Sequence, residues 1–333
     1  MQTSFIYFSS GHAKLHNRTI LSVLSLLGNY ALTPGDRLLI YTDEPAYYEP
    51  FLSGVPVEYK LLPEAKIKEM MGPDDLIHRV KIGVIEDAAC TYPQNNIFYI
   101  DSDTFFFAPI GDLLQKIAPH RSVMHKFEYE MTFLGTYPLH DKDHFRAVYE
   151  TLRHKTFHIA GKAVRIRPED FASWNAGIIG LHHSNAAWLR EVYELTDQLY
   201  ESARNHACEQ YAFSYVLQKR TELLSCEHCN RHYWHRIEKQ IVDEFLQRKL
   251  TKEFERLPLP LKIEHAGKWC RFLLKKIPKH PYWLRYSAMI AFQERQFVKG
   301  YWLAMKTLAA APRQDVAFFK DIAYHTKRML LGK

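Results

Sequence analysis

The chain has 333 residues, 47% apolar and 24% charged, the balance of an ordinary folded protein long enough to bury a large core. No apolar run approaches the roughly 20 residues of a membrane span, and MQTSFIYFSS lacks a basic leader, so neither a spanning helix nor a secretory signal is expected. The net charge of +7 is uneven: from Leu261 onward 15 Lys and Arg face 4 Asp and Glu, whereas before it 29 face 33, which points to an anionic partner for the tail alone. Five cysteines, an odd number, fit a reducing cytoplasm better than a disulfide framework.

In chain order, residues 4–9 form an apolar, aromatic run ending in Ser10-Gly11-His12, which reads as a buried strand and a glycine loop. Leu15, Ile20, Val23, Leu24 and Leu27 repeat at helical spacing over 13–27. Residues 37–41 (RLLIY) predict a second strand ending at Thr42-Asp43-Glu44-Pro45, and 55–62 a third stopped by Pro63. A helix is expected over 74–90, then a strand over 96–100. Further strands are expected at 121–127, after the N-A-G turn of SWNAGIIGLH, and at 222–225. Helices are expected at 142–159, 185–203, 208–217 and 237–255. Alternation of strand and helix in the first half predicts an α/β fold with a mixed, mostly parallel sheet flanked by helices. Ligands of such sheets sit outside the carboxyl ends of the strands. There is no G-x-G-x-x-G after the first strand and no phosphate-loop motif, which argues against a dinucleotide fold and a P-loop.

The informative stretch is IFYIDSDTFFFAP, residues 97–109. An apolar strand stops at Asp101 and delivers Asp103 two positions on. Carboxylates that close repel unless a cation lies between them, and a hard divalent metal is the natural partner. The alternative is a strand-ending turn in which the aspartates cap the next segment.

IFYIDSDTFFF, then WNAGIIGLH, CEQYAFSYVLQ and HYWH, in that order, resemble nucleotide-sugar glycosyltransferases of the GT-A fold, in particular the retaining group of glycogenin and the bacterial lipopolysaccharide galactosyltransferases. The resemblance covers about residues 5–239. It implies a metal site for Mn²⁺ or Mg²⁺ at Asp101 and Asp103, with His232 and His235 competing for the third ligand. It further implies a pocket shaped by Asn175, Ala176 and Gly177, and an acidic-Gln pair, Glu209 and Gln210, near the anomeric carbon. Ser102 lies within the donor-binding motif. The family's late Lys falls one place off, at Lys239. From the residues themselves, Arg79 and Lys81 are cations able to reach a diphosphate, or a solvated helix face. Thr42 and Asp43 sit at a strand end where a base or ribose could be read, or form a turn.

Cys226, Cys229, His232 and His235 stand at equal intervals, but four ligands in ten residues leave little chain to wrap a zinc ion. Trp174 and Trp234 flank the proposed substrate segments. The expectation is a catalytic domain over 1–257 and a helical basic extension over 258–333. Function is read as metal-dependent transfer from a UDP-sugar to a glycan or lipid-linked acceptor, with retention, in surface polysaccharide or lipooligosaccharide synthesis. The enzyme would be cytoplasmic, with the tail on an anionic membrane and no nucleic acid bound. The alternatives are a non-catalytic nucleotide- or metal-binding module, and a peripheral membrane protein acting through its tail.

Overall fold

The computed structural model describes residues 2–136, 144–313 and 316–331. The strands are β1 (Thr3–Phe8), β2 (Arg37–Thr42), β3 (Val57–Leu61), β4 (Asn96–Asp101), β5 (Thr104–Phe106), β6 (Arg121–Met124), β7 (Phe127–Glu130), β8 (Thr156–Ile159), β9 (Lys162–Arg165), β10 (Ala172–Trp174), β11 (Ile178–Leu181), β12 (Glu222–Ser225) and β13 (Asn230–His232). The helices through the body are α1 (Ala13–Leu27), α2 (Glu49–Leu52), α3 (Glu64–Met71), α4 (Val80–Thr91), α5 (Gly111–Gln115), α6 (His144–His154), α7 (Leu189–Ala203), α8 (Cys208–Gln218), α9 (Arg236–Lys249) and α10 (Lys252–Glu255). The tail holds α11 (Leu259–Lys276), α12 (Pro281–Gln293), α13 (Phe297–Ala310) and α14 (Val316–Leu330).

Seven strands form one sheet in the order β12-β6-β11-β4-β1-β2-β3. Its pairs are parallel except those of β11, which runs against both neighbours. The inner strands bury both faces, as parallel sheets do, and the period of two sorts their side chains. Phe5, Tyr7, Leu38, Ile40, Phe98 and Ile100 join one core layer, with α1, α9 and α11. Ile6, Leu39, Tyr41, Ile97 and Tyr99 join the other, with α4, α7 and α8. From β1 the chain winds outward to β3, then crosses back to β4 on the other side of β1. Phe8 is paired with Tyr41 on one side and with Asp101 on the other. The crevice at the strand ends therefore opens where the winding reverses, the place at which such sheets hold ligands.

The mixed, mostly parallel α/β architecture matches the expectation, with local differences. The helix expected over 142–159 ends at His154; its first two residues lie outside the described ones. Thr156–Ile159 instead pairs with β9, because Phe157 and Ile159 are buried and His158 is exposed, the alternation of a strand. Ala160 and Gly161, at φ 51° and 75°, make the tight turn between them. The strand expected over 121–127 stops at Met124, and Phe127 opens β7 against β10. Beyond Pro258, Ala266, Trp269, Cys270 and Leu273 of α11 enter the same layer as α1, whereas α12–α14 enclose a cluster of their own.

Helix α9 is clamped to α1 by a bidentate ion pair: Nε and Nη2 of Arg18 donate to the two Asp243 oxygens at 2.7 and 2.6 Å. Both side chains are about nine-tenths buried. Removing one partner of such a pair costs about 3–5 kcal/mol, because the other charge is left alone. Arg18→Met is expected to lower unfolding free energy by about 3 kcal/mol, and Arg18→Met/Asp243→Leu to recover most of it, by urea denaturation. Equal losses in both variants would contradict this.

Candidate active site

The site is assembled by backbone pairing at the end of β4. Asp101 N–H donates to the Gly177 carbonyl at 2.8 Å, extending the β4–β11 ladder to the N-A-G turn. After Ser102 and Asp103 the chain doubles back as β5, which pairs antiparallel with β13. That register sets His232 opposite Thr104, and Tyr233 N–H donates to the Asp103 carbonyl at 3.0 Å. His232 is thereby carried to the two aspartates across 129 residues of sequence. One donor atom from each of Asp101, Asp103 and His232 lies within 4.8 Å of the others.

The His232 ring is oriented by a chain of hydrogen bonds. Its Nδ1 lies 2.6 Å from Asn175 Oδ1 and its Nε2 3.1 Å from Asp103 Oδ1. Asn175 is fixed at both ends: Oδ1 accepts from Gly177 N–H at 3.0 Å, and Nδ2 donates to Glu128 Oε1 at 2.9 Å. An amide oxygen only accepts, so Nδ1 carries a hydrogen toward Asn175 and Nε2 is the ring atom that faces the carboxylates. Two carboxylates and an imidazole held by an outer hydrogen bond are a donor set that suits a divalent ion such as Mn²⁺. The residues present therefore fit the implied metal.

Gln210 completes the support. Its Nε2 donates to Glu128 Oε2 and Ser173 Oγ at 2.9 and 3.0 Å, while its Oε1 accepts from Ala176 N–H at 3.2 Å. Glu128 is the residue on which Asn175 and Gln210 converge. In the sequence Glu128 is only an acid just past the 121–127 run, and its role depends on contacts 47 and 82 residues away. Gly177 is required for lack of bulk: a Cβ there would stand 2.6 Å from Cε1 and 2.7 Å from Cγ of His232.

Two lysines meet the aspartates. Lys81, almost wholly buried, donates to Ala176 O, Asp101 Oδ2 and Glu209 Oε1 at 3.0, 3.2 and 3.3 Å. Burial alone would lower its pKa, but the charges of Asp101 and Glu209 outweigh it and raise it, so Lys81 stays a cation at working pH. Lys239 Nζ lies 2.7 Å from Asp103 Oδ2. Burial pushes Asp103 up, yet His232 and Lys239 more than reverse this and hold it well below the usual carboxylate range. Tyr99 donates its hydroxyl to Asp101 Oδ1 at 2.8 Å, and burial with that neighbour keeps its phenol protonated.

These groups line a cavity of about 750 Å³, within the range of small-molecule sites. Of the expected site residues, Lys81, Asp101, Ser102, Asp103, Asn175, Gly177, Glu209, Gln210 and His232 face it. Others are placed elsewhere. Arg79 does not line the cavity; it makes a bidentate pair with Asp197 at 2.6 and 3.0 Å and donates to Met70 O, because it lies in the single turn before α4 rather than on the face Lys81 shares. His235 is not a member of the metal-competent cluster. It caps α9, accepting from Ile237 N–H, and packs on Trp283 and Tyr286. Thr42 is buried and accepts from Glu44 N–H, while Asp43 accepts from Gly11 N–H at 2.9 Å; both lie beyond the cavity lining. Cys226 and Cys229 are buried in the core layer, away from a four-ligand arrangement with the histidines. Trp234 lines the cavity and is half exposed; Trp174 packs edge-on against Phe127 instead.

No family model and no curated protein matches the chain significantly. Among solved structures, mouse xyloside xylosyltransferase 1 is similar at 12% identity and TM-score 0.42, over 68% of this chain and 86% of the other. The glycosyltransferase GlyE of Streptococcus pneumoniae TIGR4 is similar at 9% and 0.45, over 79% and 63%. The galactosyltransferase LgtC, solved with donor and acceptor sugar analogs, is similar at 9% and 0.43, over 74% and 94%. At these identities and scores the likenesses carry no argument about the chemistry, and the architecture rests on the strand order itself.

Behind His232 lies His125, its ring edge-on at 5.7 Å. Burial, with His232 adding, depresses its pKa to about 3. A depressed histidine contributes stability that is complete above its unfolded pKa of about 6.5 and is lost as pH falls toward the folded value. Stability is expected to fall by about 1–2 kcal/mol between pH 7 and pH 5, measured from urea midpoints. His125→Gln should flatten that slope; an unchanged slope would contradict the assignment.

Proposed function

We propose that the chain is a GT-A glycosyltransferase that moves a sugar from a UDP-sugar to a glycan or lipid-linked acceptor, with retention at the anomeric carbon. The observation that carries this reading is the convergence of Asp101, Asp103 and His232 at the switch point of the sheet, on the wall of a cavity that also holds Glu209, Lys81, Lys126 and Lys239.

Asp101, Asp103 and His232 would hold a divalent ion, Mn²⁺ or Mg²⁺. When bound, such an ion stabilises the negative charge that develops on a departing diphosphate. Lys81 holds the Asp101 and Glu209 carboxylates in fixed positions and supplies a permanent positive charge beside them. Glu209 keeps one oxygen on Lys81, while its buried Oε2 has no partner among the described residues. That orphaned oxygen is the one available to the reacting sugar, to assist or orient the transfer. Ser102 lies at the mouth of the turn, where the donor's phosphates would pass, and the exposed rim of Trp234 offers an apolar face to a sugar ring.

The tail supports a place at a membrane surface, consistent with a lipid-linked acceptor in surface polysaccharide or lipooligosaccharide synthesis. On α13, Val298, Trp302 and Met305 are 86%, 50% and 62% exposed on one side of the helix, beside exposed Lys299 and Lys306. No helix among the described residues is long and apolar enough to cross a membrane. A second reading, a nucleotide-binding module that works without metal, is favoured by one observation: Lys81 and Lys239 already pair with the two aspartates.

Thermal denaturation with UDP, GDP, CDP and ADP, each with and without Mn²⁺, separates the readings. Stabilisation by UDP only when Mn²⁺ is present is expected, about 2.7 kcal/mol at a hundredfold excess over Kd, and lost in Asp103→Ala. Equal stabilisation without metal would support the second reading. Glu209→Gln is expected to keep UDP binding and to slow sugar transfer and donor hydrolysis by about 10²-fold or more.

A further inference from the structure

The two lysines at the aspartates are held differently. Lys81 has three acceptors at 3.0–3.3 Å and is almost wholly buried, so it has nowhere to go. Among the described residues Lys239 has a single ion-pair partner, Asp103 Oδ2 at 2.7 Å, and its side chain is one-third exposed on the cavity wall. Its helix cannot move with it, because one turn further on Asp243 is clamped to Arg18. The freedom left is that of the flexible four-carbon stem.

We propose that Lys239 is a resident counter-ion of the metal site: it occupies Asp103 until a diphosphate draws it off, so that divalent cation and nucleotide bind as a coupled pair. This rests on the metal reading of the cluster given above. With Asp103 Oδ1 turned to His232 and Oδ2 to the Lys239 ammonium, each oxygen of the carboxylate already has a partner. A divalent ion arriving alone must displace that ammonium or sit beside it against like-charge repulsion. A diphosphate entering the cavity offers the ammonium a stronger anion within reach of the same stem. Asp103 is then released to the ion, and the ion in turn binds the phosphate oxygens. By linkage, whatever factor UDP adds to Mn²⁺ affinity, Mn²⁺ adds to UDP affinity. The device keeps the site from filling with metal in the absence of donor.

The test is calorimetric titration of Mn²⁺ into the full chain, with and without saturating UDP, for wild type, Lys239→Met and Lys239→Arg. Wild type is expected to bind Mn²⁺ weakly alone and about tenfold or more tightly with UDP. Lys239→Met should bind Mn²⁺ alone about tenfold more tightly than wild type, with most of the UDP enhancement gone. Lys239→Arg should retain the wild-type pattern. A merely structural lysine gives the opposite sign, weaker Mn²⁺ binding together with a lower melting temperature. Lys239→Met binding Mn²⁺ alone no more tightly than wild type overturns the proposal and leaves the metal reading standing. Absence of Mn²⁺ binding in wild type, with or without UDP, overturns both.

Discussion

Negative charge gathered at the end of one strand is the constraint on which the rest of the structure depends. Asp101, Asp103, Glu128 and Glu209 all line one cavity, against Lys81, Lys126 and Lys239. Carboxylates held this closely destabilise a fold unless cations or hydrogen-bond donors are supplied to each. The chain supplies them from far away: Lys81 from α4, His232 and Lys239 from around β13 and α9, and the amides of Asn175 and Gln210 through Glu128. Much of the chain's topology serves to bring these groups to the same few ångströms.

Backbone geometry sets the precision of the arrangement. The β5–β13 ladder decides which residue faces the aspartates, and a shift of one would replace His232 by Arg231 or Tyr233. Gly177 leaves room for the imidazole, and Asn175 fixes which nitrogen bears the hydrogen. On the far side, the Arg18–Asp243 clamp holds α9 against α1 and so fixes the base of Lys239. Structural and chemical roles are joined here: the same contacts that dock the elements also aim the side chains.

The central sheet was legible because its signals are local. The aromatic and branched runs of β1, β2 and β4 have the length and burial of inner strands, and α1 spans the residues its periodicity marks. The aspartates could be placed at the rim because the apolar run ends abruptly at Asp101. What was not legible depends on long-range pairing. His232 and His235 are equivalent in sequence; only the register of β13 separates them. Glu128, Tyr99 and Lys239 gain their roles from contacts across the fold, and the Thr156–Ile159 strand was hidden by the helical pattern preceding it. Arg79 and Lys81 look alike two residues apart, yet one is drawn to Asp197 and the other into the cavity.

The claim that a cation organises this cluster is most directly tested by anomalous diffraction from crystals soaked in Mn²⁺ and UDP. One peak is expected between Asp101, Asp103 and His232 Nε2, at about 2–2.5 Å from each ligand atom, with the diphosphate oxygens completing its coordination. UDP seated in the cavity with no peak there, and the aspartates still bound to Lys81 and Lys239, would contradict it.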